Sequence, residues 1–180
     1  MQIDSFGSLT LLPALDHPEL VGEPVRAALS SWEHAGEVRV AEIDPELADT
    51  AAMTEAYGVS LEASANCVVV MGRRDGEERT VACVVRADTK ADVNSVVKRT
   101  LDVRKASFLN HDRAVAETGM EYGGITPVGI PETWRLFLDS RVTEIETAII
   151  GSGVRGSKLF LPGRLLGLLP RAEVIADLAR

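Results

Sequence analysis

The chain has 180 residues, of which 46% are hydrophobic and 26% are charged, an ordinary composition for a folded globular domain. Its 27 acidic and 19 basic residues give a formal net charge of -8, which argues against a broad basic surface for duplex DNA. The longest run without a charged residue, at 5–15, is shorter than the roughly 20 residues that cross a membrane. The first residues also lack the basic start of a signal peptide. We therefore expect one cytoplasmic domain without a membrane partner, in which residues 1–20 are a peripheral extension.

The first third of the chain predicts two helices separated by a strand. Val21, Val25, Leu29 and Trp32 recur at helical spacing, which predicts a helix over residues 23–34. Residues 38–43 alternate between apolar and polar side chains and predict a half-buried strand. A short helix over residues 49–57 follows and is expected to end at Gly58.

Two apolar runs at residues 65–71 and 80–85 flank Asp75-Gly76, which predicts a β-hairpin. If that dipeptide lies symmetrically at the tip, Cys67 faces Val84 while the neighbouring Val68 faces Cys83. The two sulfur atoms then point to opposite faces of the sheet and cannot form a disulfide. We expect both cysteines to be reduced core residues, and a nucleophilic Cys67 is disfavoured because burial raises the pKa of a thiol.

The middle of the chain predicts two further helices and an irregular loop. Residues 89–92 have the spacing of a capping box, with Asp92 in place of Glu, ahead of an apolar helical face at residues 93–101. Asn110 is expected to cap a helix that runs to residue 117. Residues 122–131 contain three glycines and two prolines. Such a loop either binds a ligand through its backbone or is a plain connector.

The last third predicts three strands, at residues 136–138, 147–150 and 158–161, and a short helix that Pro162 begins. Residues 151–156 match the pattern G-x-G-x-x-G, which binds dinucleotides when its last glycine opens a helix. Here a strand follows instead, so we interpret the segment as a glycine-rich turn whose N–H groups are able to line an anion site. No sequence pattern indicates a metal site, and we expect no cofactor.

Residues 118–129 carry a resemblance to a known family. The stretch reads Thr118-Gly119, three residues, and then a Gly-Gly-Ile-x-Pro-x-Gly pattern at residues 123–129. It resembles the YbaK/EbsC family of aminoacyl-tRNA deacylases, which also occurs as the editing domain of bacterial prolyl-tRNA synthetases. Further similarity runs through the hairpin, residues 93–98, 104–105 and 151–153, and Asp139.

The resemblance implies an α+β fold in which a mixed, partly closed, barrel-like sheet is surrounded by helices. It also implies a trans-editing hydrolase that deacylates a mischarged aminoacyl-tRNA and binds the tRNA 3′ end. The low basic charge predicts weak binding of the tRNA body, so help from an aminoacyl-tRNA synthetase is a further expectation. The residues expected to be catalytic on this basis are Asn66, Gly123, Gly124 and Asp139. Those expected to bind substrate are Ile125, Thr126, Pro127, Gly129, Lys98, Arg86, Gly151, Ser152 and Gly153.

The sequence departs from the family pattern at one position. A lysine on the first hairpin strand contacts substrate in the family, and Asn66 stands at the corresponding place, or Ala65 if the alignment shifts by one. We expect Asn66→Lys to strengthen substrate binding and raise the rate, unless Lys98, Arg86 or Arg155 already supplies the charge. The alternative function is a non-catalytic module that binds an aminoacyl-adenosine or another small molecule.

Overall fold

The computed structural model describes residues 4–180. The strands within this range are β1 (Ser5–Phe6), β2 (Leu9–Thr10), β3 (Leu12–Pro13), β4 (Arg39–Glu42), β5 (Ala65–Arg74), β6 (Glu77–Arg86), β7 (Lys105–Phe108), β8 (Arg135–Asp139), β9 (Ala148–Gly151), β10 (Ser157–Leu161) and β11 (Ala172–Ile175). The α-helices are α1 (Glu23–Ser31), α2 (Thr50–Tyr57), α3 (Lys98–Leu101), α4 (His111–Thr118), α5 (Ser140–Thr143) and α6 (Gly163–Leu166). No helix of residues 4–180 is long and apolar enough to cross a membrane.

The strands form one five-stranded sheet in the order β11-β8-β6-β5-β7, one four-stranded sheet in the order β3-β4-β10-β9, and the small pair β1-β2. The larger sheet is mixed, because β8 is parallel to both β6 and β11 while the other pairs are antiparallel. The two large sheets meet where Ser64 bridges to Ile149. The α+β class is confirmed, whereas the described strands form separate sheets and do not close into a barrel.

The β5–β6 hairpin has the predicted register. Arg74 pairs with Glu77, and the two turn residues between them have positive φ angles of 52° at Asp75 and 84° at Gly76. Positive φ at both positions is the type I′ turn that favours Asp-Gly. Cys67 and Cys83 are both free and lie at diagonal positions of the ladder, on opposite faces of the sheet.

The five-stranded sheet is buried on both faces. Along β6, Ala82 and Val84 pack with α1 and the four-stranded sheet, while Val81, Cys83 and Val85 pack with α3 and the C-terminal segment. This alternation is what a strand covered on both sides requires. The first 20 residues, expected to be peripheral, contribute buried Leu9 and Leu11 to a third cluster, and β3 pairs with β4.

The prediction of a capping box at residues 89–92 is wrong. The Thr89 hydroxyl donates to the Arg86 carbonyl at 2.8 Å, and the Asp92 side chain caps no helix but pairs with Arg180. The segment begins with a π-helical turn at Val93–Val97 and becomes α-helical only at Lys98. A tertiary ion pair therefore replaces the local cap.

Candidate functional site

A cavity of about 330 Å³ lies between the two large sheets. Its walls come from the start of α2, the first half of β5, the segment that joins β7 to α4, the glycine-rich loop, and strands β9 and β10. Of the sequence-predicted site residues, the structure brings four to this cavity: Asn66, Gly123, Ile125 and Gly151.

Asn66 lies near the start of β5, where the family lysine is expected. Its side chain is exposed, and its amide oxygen accepts a hydrogen bond of 3.0 Å from the Thr50 hydroxyl at the start of α2. The amide oxygen keeps a second lone pair and the amide nitrogen keeps its two N–H donors, so the side chain still has groups to bind a ligand but carries no charge.

The glycine-rich loop and the β9–β10 turn pack backbone against backbone. The N–H of Gly153 donates to the carbonyl of Gly124 at 2.7 Å. A Cβ atom at Gly124 would lie 2.7 Å from the backbone of Val154, and one at Gly151 would lie 2.7 Å from the Gly124 carbonyl oxygen. Real Cβ atoms do not approach backbone this closely, so glycine is required at both positions for this contact to form.

The remaining loop and turn residues do not line the cavity. Thr126 is fully buried, and Pro127 and Gly129 lie along a separate groove beside α1. Ser152 is fully buried and its hydroxyl donates to the Ser157 carbonyl at 3.0 Å. Residues 151–156 join β9 to β10 with no helix after them, which confirms the glycine-rich turn.

Arg155 holds the glycine-rich loop in place. Its guanidinium donates to the Tyr122 carbonyl at 3.3 Å and to the Pro45 carbonyl at 3.0 Å, and its backbone N–H donates to the Glu121 carboxylate at 2.8 Å. Gly123 has a φ of 82° and lies so close to this guanidinium that a Cβ atom would overlap with it. Arg155 is therefore committed to carbonyl groups around the loop.

Two other cations expected at the site lie elsewhere. Arg86 pairs with Asp88 through both carboxylate oxygens, at 2.9 and 2.5 Å. Lys98 begins α3 and lies beside Arg74 and Asp102. Neither residue lines the cavity that contains Asn66.

The structure instead places Lys158 in the cavity wall, a residue that sequence reasoning missed. Lys158 is the single charged residue of β10, whose other side chains are buried. Burial lowers the pKa of its ammonium, nearby Arg155 lowers it further, and Asp49 opposes both effects. The available signal was a lone lysine at the start of an apolar run, residues 159–161, two positions after the glycine-rich turn.

Asp139 lies outside the cavity, where it caps α5 and anchors the C-terminal segment. Its carboxylate is 1% exposed, accepts from the Arg141 guanidinium at 2.8 Å, and accepts from the Ala179 N–H at 2.9 Å. Burial opposes ionisation of Asp139, but these hydrogen bonds outweigh it and hold the pKa of the carboxyl below its usual value. The geometry gives Asp139 a structural role.

Two large aromatic side chains flank the cavity and are exposed, Phe108 at 63% and Tyr122 at 56%. The ring of His111 lies 4.6 Å from that of Tyr122, measured between centroids. Only 4% of the residues of the chain are aromatic, and two of them lie together at this cavity. They provide flat apolar faces at the edge of the site.

Cys67 also lines the cavity. Burial among apolar neighbours raises the pKa of its thiol to about 12. The thiolate that nucleophilic chemistry requires is therefore absent near neutral pH.

The fold is that of a known class of α+β proteins. It aligns with the crystal structure of a candidate trans-editing enzyme for prolyl tRNA synthetase at a TM-score of 0.72, with 18% identity, over 85% of this chain and 93% of that one. Residues 44–168 match the sequence profile of the aminoacyl-tRNA editing domain. The chain belongs to this family.

Two relatives show how the domain occurs in other proteins. YwhH of Bacillus subtilis, a protein without an assigned function, is 26% identical over 156 residues, which are 87% of this chain and 95% of YwhH. The proline–tRNA ligase of Listeria welshimeri is 30% identical over 81 residues, which are 44% of this chain but only 14% of the ligase. Relatives therefore include both a protein of similar length and a segment of a much longer synthetase.

Proposed function

We propose that this protein is a trans-editing hydrolase that deacylates a mischarged aminoacyl-tRNA. The observation that carries the proposal is the convergence on one cavity of three segments that are far apart in sequence, represented by Asn66, by Gly123 and Ile125, and by Gly151. Membership in the aminoacyl-tRNA editing domain family supports the same reaction.

The cavity suits the aminoacyl group and the terminal ribose. Its volume of about 330 Å³ is at the lower end of the range for small-molecule sites. In the proposed reaction a water oxygen attacks the ester carbonyl carbon, and the bond from that carbon to the ribose oxygen then breaks. The ribose oxygen takes up a proton, and the products are a free amino acid and an uncharged tRNA.

The exposed aromatic side chains support a single-stranded nucleic acid as the substrate. Unpaired bases stack on Phe, Tyr and His rings, and each such contact contributes about 1–3 kcal/mol. Phe108, His111 and Tyr122 are placed to receive bases of the unpaired tRNA 3′ end. The net charge of -8 implies a weak grip on the tRNA body, so we propose that a synthetase, such as the prolyl enzyme, assists binding.

One observation favours the alternative of a non-catalytic binding module. Asn66 carries no charge and its amide oxygen is already hydrogen-bonded to Thr50, so β5 supplies no cation to a reacting ester. Such a module would hold an aminoacyl-adenosine in the same cavity without cleaving it.

Single-turnover deacylation of a panel of mischarged tRNAs separates the two functions. The hydrolase predicts accelerated release of at least one amino acid, while a module predicts binding of an amide-linked aminoacyl-adenosine without turnover. The double variant Phe108→Ala/Tyr122→Ala is expected to weaken binding of the 3′ end and keep the fold. A matched control is Leu168→Ala, which removes another exposed large apolar side chain, 53% exposed, outside the cavity.

A further inference from the structure

Lys158 and the glycine-rich loop face each other across one side of the four-stranded sheet. In the ladder between β9 and β10, Lys158 is directly opposite Gly151, and directly opposed residues project from the same face. A Cβ atom at Gly151 would point at the carbonyl oxygens of Gly124 and Ile125, at 2.7 and 2.8 Å. The Lys158 side chain therefore leaves the sheet on the side where the loop lies.

Both cross-strand neighbours of Lys158 are small. Gly151 has no side chain, and the loop carbonyl oxygens of Gly124 and Ile125 lie close to where its Cβ atom would be. The neighbour on the other side of Lys158 is Ala41 of β4, which is also small. The Lys158 side chain lies between these two small residues and extends into the cavity, so no bulky cross-strand neighbour covers it.

The ammonium of Lys158 has no ionic partner among residues 4–180. Asp49 lines the same cavity and attracts it, but the two form no salt bridge or hydrogen bond, and Arg155 repels it. A partly buried cation without a counter-ion is costly. An anionic oxygen from a ligand would supply the missing counter-charge.

We propose that Lys158 is the cation of this site and that it binds an oxyanion of the substrate, in place of the lysine that β5 lacks. The inference rests on the proposed function. Two oxygens of the substrate have this chemistry: the phosphate of the terminal nucleotide and the ester carbonyl oxygen, which becomes negative when water attacks. Lys158 donates hydrogen bonds in either case, keeps its proton, and forms no covalent bond.

Other cations near the loop do not fill this role. The Arg155 guanidinium donates hydrogen bonds to two backbone carbonyls, and Arg86 is paired with Asp88. Among residues 4–180, no other lysine or arginine than Lys158 lines the cavity.

The test compares Lys158→Met, Lys158→Arg and the control Lys90→Met, which changes an exposed lysine outside the cavity. Single-turnover deacylation is measured alongside the affinity for amide-linked aminoacyl-adenosine, with and without a 5′-phosphate. We expect Lys158→Met to reduce the rate about 10- to 100-fold, Lys158→Arg to retain part of it, and Lys90→Met to match the wild type.

The affinity measurements distinguish the two oxygens. If Lys158 binds the phosphate, Lys158→Met weakens only the phosphorylated analogue. If it binds the carbonyl oxygen as charge develops, the rate falls while both affinities stay unchanged. Wild-type rate and affinity in a folded Lys158→Met protein would overturn the inference.

One further variant and one binding measurement keep the inference testable if Lys158→Met misfolds or if the proposed function fails. Asn66→Lys/Lys158→Met returns a cation to the same cavity from β5, and we expect it to recover activity that Lys158→Met has lost. If the wild type cleaves no substrate in the panel, the proposed function fails, and the phosphorylated analogue still tests Lys158 by binding alone. Equal binding of that analogue by wild type and Lys158→Met would then reject the inference as well.

Discussion

Lys158 lies directly opposite Gly151 in the antiparallel ladder of β9 and β10. Lys158 contributes a long cationic side chain. Gly151 has no side chain, and the backbone of the glycine-rich loop therefore packs directly against it. One strand pair thus positions both the charge and the backbone groups of the cavity. The position on β5 that faces the same cavity carries the neutral Asn66.

The first prediction concerns the charge at residue 66. The sequence alone suggested that Asn66→Lys raises activity, but the structure places Lys158 in the same cavity. Two ammonium groups there repel each other and lower each other's pKa. We now expect Asn66→Lys alone to leave the single-turnover rate unchanged or reduce it; a tenfold gain would contradict a cationic Lys158.

The second prediction concerns the contact between the two glycine-rich segments. Gly151→Ala places a Cβ atom against the carbonyl oxygens of Gly124 and Ile125, which forces the segments apart. We expect a loss of about 1–3 kcal/mol in the free energy of unfolding, as for other overpacked sites, together with reduced activity.

The control for this substitution is Gly156→Ala, in the same turn. Its added Cβ atom would meet only the Pro45 ring, at 3.8 Å, which is an ordinary contact. Urea unfolding of the two variants is the measurement. Equal stability of Gly151→Ala and the wild type would mean that the close backbone contact does not hold the site together.

The third prediction concerns Cys67. Because burial raises the pKa of its thiol to about 12, the thiol is protonated at pH 7 to 8 and is a poor nucleophile. We expect Cys67→Ala to keep the deacylation rate within about threefold, since less than 1 kcal/mol of transition-state stabilisation is at stake. Alkylation by iodoacetamide at pH 8 is expected to be slow in the folded protein, and a large loss of rate in folded Cys67→Ala would instead identify a nucleophile.

The fourth prediction concerns Asp139 and the stability of the fold. The folded-state pKa of this carboxyl is lowered, so its stabilising effect is present above the unfolded value of about 3.9 and is lost as pH falls through the folded value. We expect Asp139→Asn to lower the free energy of unfolding by about 2–4 kcal/mol at pH 7.

The pH dependence provides the check on this assignment. The stability difference between wild type and Asp139→Asn is expected to be constant from pH 6 to 8 and to shrink below pH 4 in urea titrations. Activity per folded molecule at pH 7 is the second readout. An unchanged unfolding curve with loss of activity would make Asp139 a catalytic residue.

Local signals in the sequence were sufficient for several elements. Asp75-Gly76 specifies the hairpin turn through backbone angles that few other residues adopt. Asn110 accepts from the N–H groups of Asp112 and Arg113, so the predicted cap of α4 is confirmed. Both features depend only on residues within a few positions of each other.

Features that depend on distant residues could not be predicted in the same way. The Asp92 side chain does not cap the helix that follows it but pairs with Arg180, which is 88 residues further along the chain. Strands β7 and β11 are only four residues long and lie at the edges of the five-stranded sheet, so periodicity gives little signal for them. Lys158 joins Asn66 only because β9 and β10 pack beside the start of β5.

The most direct test of the proposed function is the single-turnover deacylation of mischarged tRNAs by the wild-type protein. We predict that at least one aminoacyl ester is released faster than in buffer, and that Lys158→Met lowers this rate while Lys90→Met does not. An absence of acceleration for every ester in the panel, with intact binding of amide-linked aminoacyl-adenosine, would contradict the hydrolase and identify a binding module.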